Sequence, residues 1–417
     1  MRTTGIIAEY NPFHRGHAYH AAQARSRSKA DAVIAVMSGH ITQRGEITIF
    51  DKWSRAQAAV LSGVDLVLEL PAVYAVRSAQ YFAAGGVRLL HSLGIVDHLA
   101  FGAEEAEISA LNIAATAFES ASVIDQLKLS LNDGKTYAAA LAHALVSGGH
   151  ATTGFILSPN NILGVEYMRA LKKYAPEMTP LPIKRMGSHY HSTDMSGELS
   201  SATAIRLAFR QSGEQLFCDA LRALPEATSQ MTTDLLASGQ APADPVRLDA
   251  VILSLIRRMT DAQLQALPEL SEGLENRLRR SANQAGTVAE LLLLLKSKRY
   301  PYSRLQRILA HLLLGTDPAQ LAAYDEAGPL YARVLAMNNQ GRLALKSISR
   351  HACIPVVTKT TAHLNSRTYH SGIFTPLQSM MAFDIAATDL FSLCLPDPVN
   401  RKGGLDFCRS AIHVTVS

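Results

Sequence analysis

The sequence predicts an α/β protein, with a parallel, Rossmann-like sheet in the first half of the chain and a mostly α-helical second half. In the first half, short apolar runs rich in β-branched residues alternate with helix-like segments, which indicates a parallel sheet covered on both faces. From about residue 205, Leu, Ala and Arg recur at helical spacing instead. The 417 residues, 48% of them hydrophobic, are enough for two domains. We expect these domains to span residues 1–200 and 201–417.

Five strands are expected in the first half. They span residues 3–10, 31–37, 64–70, 96–102 and 180–185. Helices are predicted between them, over residues 16–29, 51–63, 80–94 and 161–174. Because ligands of such sheets bind beyond the carboxyl ends of the strands, the loops that follow the strands form the candidate site.

The second half carries helical patterns such as "LDAVILSLIRRM" and "YSRLQRILAHLLL". Two short strand signals, at 354–357 and 411–417, interrupt them. Residues 1–200 hold 17 basic and 17 acidic side chains and residues 201–417 hold 23 and 18, so the whole net charge of +5 lies in the second half. A clustered surplus of this kind suggests a face that binds a polyanion.

Composition argues against several classes of protein. The longest leucine run, Leu291 to Leu295, is far too short to cross a bilayer, and Glu9 interrupts the apolar N-terminal segment, so no secretory signal is expected. The four cysteines are scattered and form no CxxC pair or metal-ligand cluster. We expect a cytoplasmic protein with reduced thiols, without a metal site, membrane contact or obligate protein partner.

The first strand runs into "NPFHRGHAYH", Asn11 to His20, which places two histidines at the start of a helix. A helix N-terminus offers free N–H groups and a partial positive charge, and Gly16 lets the backbone approach a ligand closely. His14 and His17 are placed to stabilise charge on an α-phosphate during adenylyl transfer, as imidazolium or as neutral N–H donors. The alternative is that both are turn or capping residues.

A second phosphate motif is predicted in "LSSATAIR", residues 199–206. The hydroxyls of Ser200, Ser201 and Thr203 stand at a helix start, where they bind phosphate oxygens or cap the helix. Arg206 can grip a phosphate with its planar fork of donors. The alternative is a plain N-cap with a surface arginine. In combination with the histidine loop, the motif favours adenylyl transfer.

These two motifs resemble the HxGH and ISSTxIR motifs of the nucleotidyltransferase superfamily. Further stretches are together similar to one bacterial family, the tRNA(Met) cytidine acetate ligases: "TQRGE", "DKWSRAQAAV", "GVDLVLELP", "FGAE", "SPNNILGVEY" and "IKRMGSHYH". The resemblance is dense in the N-terminal half and looser in the C-terminal half. It implies a HUP-type nucleotidyltransferase domain. It also implies that ATP activates acetate as acetyl-adenylate and that the acetyl group passes to N4 of wobble cytidine 34 of elongator tRNA(Met), without acetyl-coenzyme A.

The resemblance also implies which residues form the site. His14, His17 and Arg206 are the expected catalytic residues. The expected ATP contacts are Ile7, Ala8, Glu9, Tyr10, Asn11, Pro12, Phe13, His14, Arg15, Gly16, His17, His20, Gly102, Asn160, Asn161, Arg185, Ser200, Ser201, Thr203 and Arg206. Of the two adjacent asparagines, Asn160 is favoured. Arg15 stands where the family more often has a small polar residue, and it has no assigned role.

Two further features of the site are expected on chemical grounds. Mg²⁺ is expected to accompany ATP, with no protein ligand that can be named. Gln43, Arg44 and Glu46 follow the second strand at the same edge of the sheet, where they shape the acetate pocket or bind tRNA.

A basic segment over residues 277–307 is the candidate tRNA-binding surface. Its basic side chains supply salt-dependent affinity for phosphates, and its tyrosines can stack on unpaired bases. The expected contacts are Arg277, Arg279, Arg280, Lys296, Lys298, Arg299, Tyr300, Arg304 and Arg307. The alternative is a pair of amphipathic helices with solvated arginines.

Two other functions remain open from the sequence. One is a small-molecule adenylyl- or cytidylyltransferase, which would share the histidine loop but would not need a basic helical half. The other is an RNA-binding protein with a degenerate nucleotide site, against which the intact histidine and arginine motifs argue.

Overall fold

The computed structural model describes residues 1–133, 135, 137–150, 158–185, 201–210, 214–270, 273–297 and 299–415. An eight-stranded sheet forms its centre. The strands are β1 (Thr3–Ala8), β2 (Ala32–Ser38), β3 (Leu66–Leu70), β4 (His98–Ala103), β5 (Thr179–Lys184), β6 (Ala332–Met337), β7 (Val356–Val357) and β8 (Ile412–His413). They lie in the order β5-β4-β1-β2-β3-β6-β7, with β8 paired to β6.

The five strands of the first half are parallel, as predicted. β1 lies between β2 and β4, with Ile6 opposite Ala35 on one side and Ala100 on the other. Successive residues of a strand face opposite sides of the sheet, so Ile6 packs against the helices on one face and Ile7 against those on the other. Burial on both faces explains why these strands are continuous apolar runs. The predicted α/β class is therefore confirmed.

Helices of the first half cover both faces. They are α1 (Arg15–Ser28), α2 (Lys52–Leu61), α3 (Ala72–Ala75), α4 (Ala79–Ser92), α5 (Ile108–Ala117), α6 (Ala121–Asn132), α7 (Tyr137–Ser147) and α8 (Pro159–Tyr174). α1 and α2 pack on one face, where Trp53 is 2% exposed. α4 and α8 pack on the other, around Leu90 and Val165. Each helix returns the chain to the amino ends of the strands, so the loops that follow the strands lie together at the carboxyl edge.

The second half is mostly helical, as predicted. Its helices are α9 (Ala202–Arg210), α10 (Glu214–Arg222), α11 (Glu226–Ala237), α12 (Asp249–Arg258), α13 (Asp261–Gln265), α14 (Leu274–Gln284), α15 (Val288–Leu295), α16 (Tyr302–Leu314), α17 (Pro318–Ala327), α18 (Asn339–His351), α19 (Ser366–Ser371), α20 (Pro376–Leu393) and α21 (Leu405–Cys408). Leucines of α12, α14, α15 and α16 form a separate apolar core. No helix in the described part of the chain is long and apolar enough to cross a membrane.

The sequence analysis did not predict strand β6. It comes from the second half, runs antiparallel to β3 and extends the sheet across the predicted boundary at residue 200. The run "ARVLAM" is apolar and short, and periodicity cannot separate a buried strand of this length from a helix segment. The two strand signals that the sequence did give correspond to β7 and β8.

A buried ionic network joins the late elements to the sheet. Lys52 of α2 is 2.8 Å from a Glu69 carboxylate oxygen on β3 and 2.9 Å from Asp406 on α21. Arg333 of β6 pairs with both acids. All four residues are at most 3% exposed. Two cations thus balance two anions in the interior, which keeps buried charges tolerable.

Candidate active site

A cavity of about 280 Å³ opens at the carboxyl edge of the sheet, around the end of β1. Loops that follow β1, β2, β4 and β5 form its wall, as expected for a parallel sheet. The predicted residues that line it are Ile7, Ala8, Glu9, Tyr10, Asn11, His14, Gly16, His17, His20, Gly102, Asn160, Arg185, Ser201, Thr203 and Arg206. Two motifs nearly 190 residues apart in sequence therefore meet in one cavity.

The two motif histidines cap helix α1. His14 is the N-cap, and its Nδ1 accepts the N–H of Gly16 at 3.1 Å. Nδ1 of His17 accepts the N–H of His14 at 3.3 Å. The two rings stack with their centroids 3.8 Å apart. Because both rings also line the cavity, capping the helix does not exclude a role toward a ligand.

These hydrogen bonds fix the protonation of the pair. Since Nδ1 of each ring is an acceptor, the neutral ring carries its proton on Nε2. Burial and the charges of Arg185 and Arg206 lower the pKa of His14 to about 3. Burial, with His14 and Arg185 as further causes, also holds the pKa of His17 well below its usual range. In the free protein both rings are therefore neutral N–H donors at neutral pH, the second of the two forms that the sequence left open.

The turn between β1 and α1 is strained and tightly packed. Tyr10 has a φ of +49°, in the left-handed region that bulky residues rarely adopt. Its ring meets Phe13 and His17 edge-on, at centroid distances of 4.7 and 4.9 Å. Oδ1 of Asn11 accepts the N–H of Ile49 at 3.0 Å. Packing on both sides thus holds the histidines in place.

Arg206 reaches from α9 across to the first loop. Its guanidinium donates to the carbonyl of Asn11 at 2.9 Å and to the Thr203 hydroxyl at 3.3 Å. It also pairs with Glu46, 3.3 Å away. These contacts hold a planar array of donors over the cavity, in the geometry that suits a phosphate.

A serine caps the helix that carries Arg206. Oγ of Ser201 accepts the N–H of Ala204 at 3.1 Å, so this residue caps α9 and also lines the cavity. Ser200 lies outside the described residues. The N-terminal turns of α1 and α9 thus meet at the cavity, and both favour an anion there.

On the other side of β1, three predicted residues line the cavity from β4, β5 and α8. Gly102 is at the end of β4, and a Cβ built on it would lie 3.3 Å from Cγ of Arg185. Asn160 lines the cavity in the first turn of α8, whereas Asn161 is buried beneath it. Oδ1 of Asn161 accepts the N–H groups of Glu104 and Glu105, at 3.0 and 3.1 Å. The preference for Asn160 agrees with this geometry.

Four predicted ATP contacts do not line the cavity. Asn161 binds the backbone of the loop after β4, and Phe13 is a core residue. Pro12 faces a small separate crevice. Arg15 is exposed and points away, where its Nε donates to the carbonyl of Leu224 at 3.3 Å. Arg15 therefore anchors the segment that follows α10 to the start of α1.

The loop after β2 supplies residues for which the sequence left the role open. Gln43, Arg44 and Glu46 all line the cavity. Gly45, between them, has a φ of +79°, and a Cβ there would lie 2.6 Å from the backbone of Gln306 and Arg307 in α16. The loop is therefore seated directly on a helix of the basic segment.

Sequence reasoning missed the apolar part of the wall. Phe82 of α4, Phe101 of β4 and Tyr167 of α8 line the cavity. An aromatic residue inside a helix or strand gives the same pattern whether it faces a core or a cavity, so no motif marks these three positions.

Several buried polar atoms at the cavity have no hydrogen-bond partner among the described residues. They are the hydroxyls of Tyr10 and Tyr167, Nδ2 of Asn11 and Nε2 of His20. Buried polar groups in folded proteins are nearly always paired, so such atoms in residues around one cavity indicate a polar ligand. Burial raises the pKa of both tyrosine hydroxyls, which therefore stay protonated donors.

The described ranges contain no metal site. No group of three or more His, Cys, Asp or Glu side chains in them could hold a metal ion. The cavity is lined by hydrogen-bond donors and cations that suit the oxygens of an anion, together with the carboxylates of Glu9 and Glu46.

The basic segment has an exposed part and a buried part. Arg280 and Lys296 are exposed, and Nζ of Lys296 lies 4.7 Å from the Tyr302 ring. Arg277 donates to the carbonyl of Leu294, and Arg279 pairs with Asp261. Lys298 lies outside the described residues, and Arg299 is half-buried.

Two of the expected RNA contacts, Tyr300 and Arg307, are buried, so the prediction that they bind RNA is wrong. Tyr300 is 7% exposed and forms part of the helical core, so its ring has no free face for a base. Arg307 is 8% exposed, and its guanidinium forms two hydrogen bonds with the Glu269 carboxylate. Arg304 donates to the carbonyl of Glu269 from the same helix. Arg304 and Arg307 therefore serve mainly to join α16 to Glu269, which follows α13.

Comparisons with known proteins agree with this geometry. The family model described as HIGH nucleotidyl transferase matches residues 1–405. The tRNA(Met) cytidine acetate ligase of Acetivibrio thermocellus is 38% identical over 99% of this chain and its own full length. That of Syntrophomonas wolfei is 37% identical over the full length of both proteins. The crystal structure of Thermotoga maritima TmcAL bound with alpha-thio ATP superposes with a TM-score of 0.90 at 31% identity, and it covers 100% of both chains.

Proposed function

The chain belongs to the tRNA(Met) cytidine acetate ligases of the HIGH nucleotidyl transferase family, and we propose that it joins acetate to a cytidine of tRNA(Met) at the cost of ATP. The observation that carries this proposal is the meeting of the histidine pair with Arg206, Ser201 and Thr203 in one cavity. ATP is the expected substrate there, since the Thermotoga maritima relative is described with alpha-thio ATP bound.

In the first step, a carboxylate oxygen of acetate attacks the α-phosphorus of ATP, and pyrophosphate leaves. The Nε2–H groups of His14 and His17 donate to the phosphate oxygens on which charge increases, together with Arg206. Because these donors are preorganised and partly removed from water, they stabilise the transition state without acting as nucleophiles. The adenosine extends past Gly102 and Asn160, on the other side of β1.

In the second step, acetyl-adenylate acylates N4 of the wobble cytidine of elongator tRNA(Met). Mg²⁺ would accompany ATP and offset part of the negative charge of its phosphates. Such a reaction belongs in the cytoplasm, where ATP and tRNA are both present.

A labelling experiment tests the function. The protein is incubated with ATP, radiolabelled acetate and tRNA, and the RNA is then digested to nucleosides. We expect label in N4-acetylcytidine, together with acetate-dependent exchange of pyrophosphate into ATP. ATP turnover that needs another small substrate instead of acetate would favour a small-molecule transferase. Retention of RNA without ATP turnover would favour a binding protein.

The tRNA surface is tested by neutralising its exposed cations. Arg280→Gln with Lys296→Gln should weaken tRNA binding several-fold and reduce the slope of log K against log salt by about one to two, since each phosphate contact contributes roughly one unit. The matched control removes two exposed cations from α18, Lys346→Gln with Arg350→Gln. Equal effects of the two pairs would refute a specific surface at residues 277–307.

A further inference from the structure

The cavity has two halves, one on each side of β1. The half toward β4 and β5 contains Gly102, Asn160 and Arg185, and it is the half proposed above for adenosine. The half toward β2 contains Gln43, Arg44 and Glu46, and it lies on the side of β1 opposite the proposed adenosine site. The acetyl acceptor must approach the α-phosphate from a side that the nucleotide leaves open.

Glu9 is the carboxylate of this second half. It follows β1 directly, and its Oε1 accepts the N–H of Gln43 at 2.7 Å. That bond is the one hydrogen bond that the described residues give to this carboxylate, so its other oxygen is available. Arg55 of α2 holds the backbone of Glu9 through its carbonyl, at 2.7 Å. Glu9 is thus held at the cavity wall, and its second carboxylate oxygen can accept a further hydrogen bond.

The histidines cannot accept the proton that the second step releases. Both Nδ1 atoms already accept backbone N–H groups, and Nε2 of each neutral ring carries a proton. Burial also lowers the pKa of His14 to about 3, which makes the ring a weak base. A different group must remove the proton from the cytidine amine.

Only two carboxylates line the cavity among the described residues, Glu9 and Glu46. Glu46 is paired with Arg206, 3.3 Å away. Glu9 has no ion pair of that kind in the described part of the chain, and burial raises its pKa above the ordinary value. Arg44, Glu46 and Arg206 act on its charge, and its own charge acts on the Tyr167 hydroxyl. A raised pKa brings a carboxylate closer to the basicity that proton transfer near neutral pH requires.

We propose that Glu9 binds the N4 amino group of the target cytosine and accepts its proton during acetyl transfer. A carboxylate is the side chain that reads this amine, because it accepts from the N4–H donors. In the step, N4 forms a bond to the acetyl carbonyl carbon while the bond from that carbon to the phosphate oxygen breaks. AMP leaves with the electron pair, and the N4 proton passes to Glu9 and from there to solvent. This role rests on the proposed function.

Glu9→Gln tests the assignment, because glutamine has the same shape, still accepts from Gln43 and is no base. Two half-reactions are compared: acetate-dependent pyrophosphate exchange, and single-turnover acetyl transfer to tRNA. We expect transfer to fall roughly 100-fold or more beyond any fall in exchange, which is the usual contribution of a general base. Glu46→Gln, the control in the same cavity, should lower both half-reactions by similar factors because it releases Arg206.

The pH profile provides a second measurement on unchanged protein. Wild-type transfer should rise about tenfold per pH unit below the pKa of Glu9 and then level off; a profile without this limb overturns the inference. Glu9→Gln with undiminished transfer relative to exchange also overturns it, while the proposed function stands. Wild-type protein that exchanges pyrophosphate but never labels cytidine refutes the proposed function and this role together.

Discussion

At the scale of single residues, the histidine pair shows how a helix cap can set a protonation state. Each ring uses Nδ1 to satisfy a backbone N–H at the start of α1, and so its Nε2–H is directed away from the cap. A donor that is already neutral does not lose its function when the pH passes the ordinary histidine pKa of 6.5. The same geometry makes both rings poor bases, so Glu9 is the proposed proton acceptor in the second step.

The protonation state has a measurable consequence. For His14, the folded pKa of about 3 lies below the ordinary histidine pKa of 6.5, so between these pH values the unfolded chain binds more protons. Stability should therefore rise with pH across that window and be lost as pH falls through it.

In nitrogen-15 NMR of labelled histidine, the His14 signal should keep the neutral Nε2–H pattern from pH 8 to pH 5. A titration near pH 6.5 would contradict this, and His14→Asn, which keeps an N-cap, assigns the signal.

At the scale of elements, the first turn of α8 gives two adjacent asparagines different surroundings. Asn160 lines the cavity, whereas Asn161 points beneath it and satisfies two N–H groups of the loop after β4. A helix turns by about 100° per residue, so neighbours in sequence face different surroundings. Both asparagines contact the loop after β4, since Nδ2 of Asn160 donates to the Glu104 carboxylate, but of the two it is Asn160 that also lines the cavity.

Paired alanine variants should separate these roles. Asn161→Ala leaves two backbone N–H groups without their acceptor, and we expect a loss of about 2–4 kcal/mol in the free energy of unfolding. Asn160→Ala should instead raise the KM for ATP roughly 5- to 20-fold, with a loss of stability below about 1 kcal/mol. Chemical denaturation and pyrophosphate exchange measure the two effects. A raised KM with full stability in Asn161→Ala would reverse the assignment.

Much of the fold and site can be predicted from the sequence because the information is local. Strand β1, the turn at Asn11 and the two motifs are contiguous runs with their own turn and capping residues. The antiparallel pairing of β6 with β3 is not local, since it joins residues more than 260 positions apart. Tyr167 and Phe82 show the same limit, because only the tertiary structure determines whether an aromatic side chain faces a core or a cavity.

At the scale of the whole molecule, the two halves of the chain share one interior. Lys52 and Glu69 come from the first half, and Arg333 and Asp406 come from the second, yet they form a single charge-balanced group at the sheet. Arg55, on the same helix as Lys52, holds the backbone of Glu9. Helix α2 thus contacts both the buried ionic group and the backbone at the cavity wall.

Breaking this network should be costly. Lys52→Met leaves two buried carboxylates to one arginine, and we expect the free energy of unfolding to fall by about 3–5 kcal/mol. The control is Lys172→Met, which removes an exposed lysine 2.7 Å from Glu119 and should cost at most about 1 kcal/mol. Urea denaturation of both variants measures the difference. Similar losses in the two variants would show that the buried group is not a structural link.

The contact of Gly45 with α16 has a consequence for how the two working surfaces relate. A side chain at position 45 would collide with the backbone of Gln306 and Arg307. The loop that carries Gln43, Arg44 and Glu46 therefore needs glycine where it touches the helix. The loop and the helix are therefore in direct backbone contact at this point, with no side chain between them. A shift of α16 toward the sheet would have to displace this loop, which also carries the N–H that Gln43 donates to Glu9.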